Sequence, residues 1–223
     1  MKKRSILTFG VRLRLTRSPI CNLLFAILLS GCVAFQVGGE IQAGRKALQV
    51  GDPDGALAHF QRAAELDPNY LLNFSLFDEG VWTYVGRSYY DLGKLPEARQ
   101  ALERARSHYE QDHLAKLYLG MVLARDGDRP RGLREMEAGL KGLEGWLDNL
   151  SSEESRFWDP GGEFQGEIKG FLAMIGGRDI SLAEIIARGE QLGQEIEEEI
   201  DLVRRDQFTE EVQEGDNDDD GKK

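Results

Sequence analysis

The chain has little cysteine, little proline and few histidines, and this composition limits the classes of fold and of functional site that it can form. Its 223 residues include two cysteines, six prolines and three histidines. No Val-, Ile- and Thr-rich run alternates apolar with polar residues, so strands are not expected and we predict an all-α fold. The histidines form no HExxH pattern and no paired-ligand spacing, and no Gly-x-Ser-x-Gly or phosphate-binding loop occurs. We therefore expect no enzyme activity, no cofactor and no metal site.

Positive charge is concentrated at the N-terminus. Six Lys and Arg residues precede residue 20, and no acidic residue occurs before Glu40. An apolar run from Ile20 to Leu29 follows, which is about half of the roughly 20 residues that a membrane-spanning helix needs. The run ends in Leu29-Ser30-Gly31-Cys32. This ending resembles the lipobox of bacterial lipoproteins.

The lipobox resemblance implies that residues 1–31 are a lipoprotein signal peptide and that Cys32 is acylated through a diacylglyceryl thioether. An ordinary signal peptide, or a short anchor that contains a cysteine, is the alternative. Val33 rather than aspartate follows the cysteine, which resembles the outer-membrane sorting preference. We therefore expect a lipid-anchored protein of the bacterial cell envelope, at the outer membrane and facing the periplasm.

Removal of the signal would change both the charge and the thiol content of the chain. The formal net charge of −11 would become −17, because residues 1–31 contain six positive charges and no negative ones. This acidic balance argues against binding of nucleic acid and against broad adhesion to anionic lipid. With Cys21 discarded and Cys32 acylated, no free thiol would remain for catalysis, a disulfide or a thiolate metal site.

The segment from Trp82 to Ala105 reads as two short helices separated at Gly93. Its first half places Gly86 and Tyr89 at fixed distances from the tryptophan. This pattern resembles the tetratricopeptide repeat, Trp-x2-Leu-Gly-x2-Tyr and then Ala-x3-Phe, with a period of 34 residues. In such a repeat the small residues let two antiparallel helices touch, and larger side chains fill the gaps around them.

Two further copies of the pattern are present. One period after Gly86 lies Gly120, and an earlier copy contains Gly44. One repeat cannot bury its own apolar face, so copies must stack. The resemblance thus implies an α-solenoid of three helix-turn-helix repeats, preceded by a linker at residues 32–39. The repeats are predicted at about 40–68, 79–110 and 113–146.

About eight inserted residues, within 69–79, separate the first two repeats. The insertion is rich in apolar and aromatic residues, among them Leu72, Phe74, Leu76 and Phe77. These side chains either lengthen the start of the next helix or form an aromatic lip over one end of the groove.

Beyond the third repeat the register fails, and residues 147–206 are expected to form a helical cap. Capping boxes at Ser151–Glu154 and Ser181–Glu184 each predict a helix start. The second opens a long helix with an apolar stripe, which either caps the array or pairs with a partner in a coiled coil. The acidic tail at 207–223 is expected to be disordered, and its Asp216–Gly221 run lacks the final glutamate of an EF-hand loop.

The family resemblance also implies where a ligand binds. The inner, concave groove is lined by the first helix of each repeat, at positions close to the repeat glycine. Arg45 and Arg87 both follow that glycine, and together they could hold a peptide carboxylate or an acidic segment. Alternatively, they pair with neighbouring carboxylates. The Lys and Asn set of the family's carboxylate clamp is absent. The ligand-groove candidates are Ile41, Arg45, Gln49, Thr83, Arg87, Tyr90, Asp91, Leu117, Met121 and Arg125.

We interpret the sequence as a lipid-anchored scaffold that holds an envelope protein or peptide during assembly or maintenance of the cell envelope. Two alternatives stay open: an accessory ligand-binding component of a solute uptake system, and a non-catalytic subunit of a membrane-bound enzyme complex. The repeat resemblance does not choose among them, because repeat fold and function separate readily.

Overall fold

The structure, a computed structural model, describes residues 19–74, 77–152, 154–177 and 180–220, and the side chains of 33–73, 77–152, 154–177 and 180–206. These ranges contain eight α-helices and one β-hairpin. The elements are α1 (Pro19–Gln49), α2 (Pro53–Leu66), β1 (Leu71–Phe74), β2 (Phe77–Gly80), α3 (Val81–Asp91), α4 (Leu95–His108), α5 (His113–Arg125), α6 (Arg129–Asp148), α7 (Glu163–Gly176) and α8 (Leu182–Asp220).

The first six helices form three consecutive helical hairpins, α1–α2, α3–α4 and α5–α6, and each hairpin packs on the next. The turn inside each hairpin contains a glycine with positive φ: Gly51 at 74°, Gly93 at 71° and Gly127 at 100°. Glycine adopts this left-handed conformation without the steric cost of a Cβ. The predicted helix-turn-helix repeats, and the break at Gly93, are therefore confirmed.

The repeat glycines lie where the two helices of each hairpin touch. A Cβ on Gly44 would overlap the Phe60 ring, and a Cβ on Gly86 would come within 2.7 Å of the Leu102 side chain. At Gly120 the obstacle is the backbone nitrogen of Met136, at 2.6 Å. The contacting residue stands at the same sequence offset in all three repeats, so the three segments share one packing geometry.

Helix α1 begins earlier than the sequence predicts. Residues 32–39, expected to be a linker, are helical, and Val37 is buried beside Ile41 in the first of two hydrophobic cores. These two side chains are four residues apart and so share one helix face. The packing of these two side chains in the core stabilises the helix across Gly38 and Gly39, which by themselves disfavour it. Residues 1–18 of the predicted signal peptide and the side chain of Cys32 lie outside the described part of the chain. Across the described ranges, no helix combines the length and apolarity that a membrane span requires.

The insertion forms two paired strands, so its interpretation as a lengthened start of the next helix, and the expectation of no strands, were wrong. The side chains of Phe74 and Leu76, two of the four residues of the predicted aromatic lip, lie outside the described residues. Strands β1 and β2 pair antiparallel, with Leu71 opposite Gly80 and Asn73 opposite Asp78. Phe77 is buried, and its ring centroid lies 5.2 Å from that of Trp146. The hairpin is thereby fixed to the second core, which continues through α5 to α8.

The C-terminal region confirms both capping boxes. Ser151 and Glu154 bond to each other's backbone N–H groups, as do Ser181 and Glu184. The first box opens a short 3₁₀ turn, and the second opens α8. Helix α8 continues to Asp220, where a disordered tail from residue 207 was expected. That stretch has no proline and is rich in Glu and Gln, which favour helix. Side chains of the EF-hand-like run lie outside the described residues.

Candidate functional site

The inner groove of the repeats is lined by α1, α3 and α5, and it is occupied by α8 of the same chain. Gly189 of α8 faces Met121, and Gly193 faces Tyr118, both on α5. Further along, Glu197 contacts Arg87 on α3 and then Arg45 on α1. Helix α8 therefore crosses the third, second and first repeats in that order.

The apolar stripe of α8 is buried within the chain. Six of its aliphatic side chains are at most 7% exposed: Ile185, Ile186, Leu192, Ile196, Ile200 and Val203. The side chains that a coiled-coil partner would need are thus already covered. This outcome supports the cap interpretation, although the helix lies along the groove rather than over the end of the array.

A buried ion-pair network holds the middle of α8. The Arg45 Nε donates to Glu197 Oε2 at 2.6 Å, and Arg87 donates to the other oxygen of the same carboxylate. Arg87 also donates to Glu79 Oε1 at 2.8 Å, and Arg45 pairs with Asp201 at 3.0 Å. Both arginines, Glu79 and Glu197 are at most 5% exposed. Buried charges of this kind persist only when they are paired.

The pKa values of two carboxyl groups in this network are shifted in opposite directions. Burial opposes ionisation of Glu197, but Arg87 and Arg45 outweigh it and lower the pKa of Glu197. Burial raises the pKa of Glu79 to about 8, although Arg87 favours its anion. Glu197 is thus the permanent counter-ion of the two arginines, and Glu79 is the member that takes up a proton first.

Of the two predicted roles of the arginines, the structure supports pairing with carboxylates and not the capture of an external acidic segment. Arg45 and Arg87 do lie together in the groove, but the carboxylate between them comes from Glu197 of the same chain. Arg87 also pairs with Glu79, a neighbouring carboxylate of the predicted second repeat. Because the two guanidinium groups are buried and paired, they are not available to an acidic segment of a partner.

Other groove candidates are also engaged inside the chain. Thr83 donates to Asp112 Oδ2 at 2.5 Å, and Leu117 and Met121 are fully buried in the second core. Gln49 donates to Asp201, at the far end of the contact with α8. Ile41 is buried in the first core. Ile41, Thr83, Leu117 and Met121 thus support the structure of the groove, whereas Gln49 is exposed at its edge.

Tyr90, Asp91 and Arg125 remain beside an open space. A cavity of about 480 Å³ lies between α1, α3 and α5 on one side and α8 on the other. Tyr90 donates to Glu190 Oε1 at 2.6 Å, and Arg125 lies 3.5 Å from the same oxygen. The volume falls in the range of roughly 300–1,000 Å³ that is usual for ligand sites. Its lining residues are Leu48, Gln49, Arg87, Tyr90, Asp91, Tyr118, Arg125, Glu190, Gln194, Glu197 and Glu198.

Two residues that support this site were not identified from the sequence. Glu79 reaches Arg87 from strand β2, and Asp112 accepts hydrogen bonds from the Gly80 backbone N–H and from Thr83. Asp112 directly precedes α5 and caps it, so its N-cap position was a usable signal. No comparable local signal marks Glu79. Among the described residues, no group of His, Cys, Asp and Glu is placed to hold a metal ion.

The stacked helical hairpins define the chain as an α-solenoid, and a comparison with protein families agrees. A tetratricopeptide repeat model matches residues 47–119, from the end of α1 into α5. This stretch of the chain therefore consists of tetratricopeptide repeats. Such repeats indicate a role in protein–protein interaction, and the family is typically non-catalytic. A search of curated proteins found no match to the chain.

Proposed function

We propose that this protein is a lipid-anchored scaffold of the bacterial cell envelope, which faces the periplasm and holds a protein partner without catalysing a reaction. The observation that supports the interaction role is the tetratricopeptide array of residues 47–119. The anchor is inferred from Leu29-Ser30-Gly31-Cys32 and from the positive charge and apolar run that precede it.

The start of α1 suits such an anchor. Val37, the first buried side chain after Cys32, follows it by five residues of helix, or about 7.5 Å at 1.5 Å per residue. An acylated Cys32 would therefore hold the repeats close to the bilayer. Phe35 is 85% exposed between these two positions. Aromatic side chains are favoured at the membrane interface, so Phe35 would add to the anchoring.

Metabolic labelling tests the anchor. The full chain and its Cys32→Ser variant would be expressed in a Gram-negative host with an alkyne analogue of palmitate, and the membranes would be fractionated. We expect label and membrane retention for the wild type, and no label on Cys32→Ser. Cys21→Ser is the matched control, because it lies in the segment to be discarded and should be labelled normally. Equal labelling of wild type and Cys32→Ser would contradict the proposal.

Crosslinking tests the scaffold role. The acylated protein, crosslinked in its native envelope and purified, should retain a defined envelope protein across repeated preparations. A variant that is not acylated should lose that partner, since it would no longer reside at the membrane. A membrane-bound enzyme activity that disappears on deletion of the gene would instead favour the enzyme-subunit alternative.

A further inference from the structure

The cavity beside α8 differs in charge from the groove that the sequence predicts. Its lining contains two guanidinium groups, of Arg87 and Arg125, but four carboxylates. Helix α8 contributes three of these carboxylates. Occupation of the groove by α8 therefore converts a surface expected to attract acidic segments into one with an excess of negative charge.

Both arginines of the cavity already contact carboxylates of the same chain. Arg87 is bound between Glu79 and Glu197, and its guanidinium carbon lies 5.0 Å from the Tyr118 ring centroid. Arg125 pairs with Glu190, and its guanidinium carbon lies 4.9 Å from the Tyr90 ring centroid. The charge of each guanidinium is thus offset by at least one carboxylate of the same chain. The aromatic rings of Tyr118 and Tyr90 lie beside the guanidinium groups of Arg87 and Arg125, which shows that these rings can hold a cation.

Two of the carboxylates make no direct contact with a donor or a cation among the described residues. Among the described residues, neither Asp91 nor Glu198 makes a hydrogen bond or an ion pair, and both line the cavity. Burial is the main cause that raises the pKa of Asp91; the charge of Arg87, and more weakly that of Arg125, opposes this shift, and the charge of Glu190 adds to it. The Tyr118 hydroxyl is a third unused group: this side chain is 5% exposed, and no hydrogen bond to it is formed by the described residues.

We propose that this cavity binds a lysine or arginine side chain from a basic segment of the protein partner, held by Asp91 and Glu198 beside Tyr118. The proposal rests on the scaffold function above and gives that partner a chemical class. A cation there gains from two unpaired carboxylates in a partly enclosed site, where charges interact more strongly than in water. An anion would meet the same carboxylates and be repelled. The net charge of −17 on the mature chain would also speed the approach of a basic partner.

Peptide binding tests the proposal directly. The purified full chain in detergent would be titrated into the fluorescein-labelled peptide Gly-Ala-Arg-Ala-Gly, and into peptides with lysine, citrulline or glutamate at the centre. Fluorescence anisotropy measures the affinity of each. We expect the arginine and lysine peptides to bind, and the neutral citrulline and acidic glutamate peptides to bind about tenfold more weakly, because two charge contacts are lost.

A matched pair of variants locates the binding. Asp91→Asn with Glu198→Gln should weaken the arginine peptide by about tenfold through the loss of the same two charge contacts. Glu65→Gln with Glu97→Gln removes the same charge from an outer groove of the repeats and should leave the affinity unchanged. Equal affinity of the wild type and the cavity variant would overturn the proposal, as would preferential binding of the glutamate peptide or no binding of any peptide.

Two further experiments ask whether the bound cation belongs to a protein or to a small molecule, and whether the scaffold function depends on the cavity. Competition by 1,4-diaminobutane at the same concentration as the arginine peptide would assign the cavity to small cations and overturn a protein source. In envelope crosslinking, loss of the partner from the cavity variant but not from the outer-groove variant is the expected result. Retention of the partner by both variants would leave the scaffold function intact and overturn the cavity as its docking point.

Discussion

Arg45 and Glu197 are 152 residues apart in the chain, yet the arginine Nε donates to the glutamate Oε2 at 2.6 Å in the centre of the repeat groove. This contact joins the first repeat to the last helix. It also explains how a groove that the sequence marks as basic becomes acidic in the folded protein, since the guanidinium groups are consumed by α8. The remaining carboxylates, of Asp91 and Glu198, then give the site its preference for a cation.

Replacement of Glu197 by glutamine should destabilise the protein strongly. Arg45 and Arg87 would then remain buried without the carboxylate that they share. We expect the free energy of unfolding, measured in urea, to fall by about 3–5 kcal/mol. Glu198→Gln, one residue along and exposed, is the matched control and should stay within about 0.5 kcal/mol of wild type. A loss below about 1 kcal/mol for Glu197→Gln would mean that the network is not formed.

Alanine at Gly120 should disrupt the third repeat. The new Cβ would lie 2.6 Å from the Met136 backbone nitrogen and 2.7 Å from the Gly132 carbonyl oxygen, so α5 and α6 would have to separate. We expect a loss of about 3 kcal/mol in thermal or urea unfolding. Gly145→Ala is the control, because a Cβ there has open space in the last turn of α6. It should stabilise the protein by up to about 1 kcal/mol. The same effect from both variants would refute the close contact.

Alanine at Asp112 should cost more than loss of an ordinary helix cap. Its buried carboxylate accepts from the Gly80 backbone N–H at 2.8 Å, from Thr83 and from the Ala115 backbone N–H at 2.9 Å. With three donors left without an acceptor, we expect a loss of about 3–4 kcal/mol in urea unfolding. Asp52→Ala removes an exposed cap from α2 and should cost about 1 kcal/mol. Equal losses would show that the link between β2 and α5 is absent.

His113 should make the protein less stable as the pH falls. Burial lowers the pKa of His113 to about 4, whereas the unfolded chain has the ordinary value of about 6.5. Between these values the unfolded state binds the proton and the folded state does not, so stability decreases on acidification. The contribution reaches up to about 2 kcal/mol at pH 5.

The comparison of wild type with His113→Gln isolates this effect. Burial raises the pKa of Asp112 to about 6 and that of Glu79 to about 8, and both groups favour the folded state as the pH falls. They are present in both proteins and cancel in the difference. Urea unfolding at pH 7 and pH 5 should therefore show a larger loss, or a smaller gain, for the wild type. An unchanged difference between the two proteins would rule out a buried neutral His113.

The parts of the fold that repeat locally could be predicted from the sequence. Gly44, Gly86 and Gly120 each meet a residue at a fixed offset, so a single period of small residues specifies three hairpins. The capping boxes at Ser151 and Ser181 depend on residues three apart and are equally visible. All of these contacts join residues that are close in the sequence, within one helix or between two consecutive helices, so a local pattern reveals them.

The parts that could not be predicted depend on distant contacts. Strands β1 and β2 have four residues each, which is too short for an alternating pattern to show. Their burial comes from Trp146 and Trp158, about 70 residues or more along the chain. The partner of Arg45 had to be chosen among 39 acidic residues, with no local signal for Glu197. The charge of the candidate site therefore follows only from the folded position of α8.

Hydrogen exchange of backbone amides is the most direct test of this account, because it reports whether α8 is a permanent part of the groove. If α8 is packed as described, its amides between Ile185 and Val203 should exchange as slowly as those of α5, the helix beneath it. Exchange of that stretch within seconds to minutes, while α5 stays protected, would contradict the account. It would show an open groove in which Arg45 and Arg87 are free.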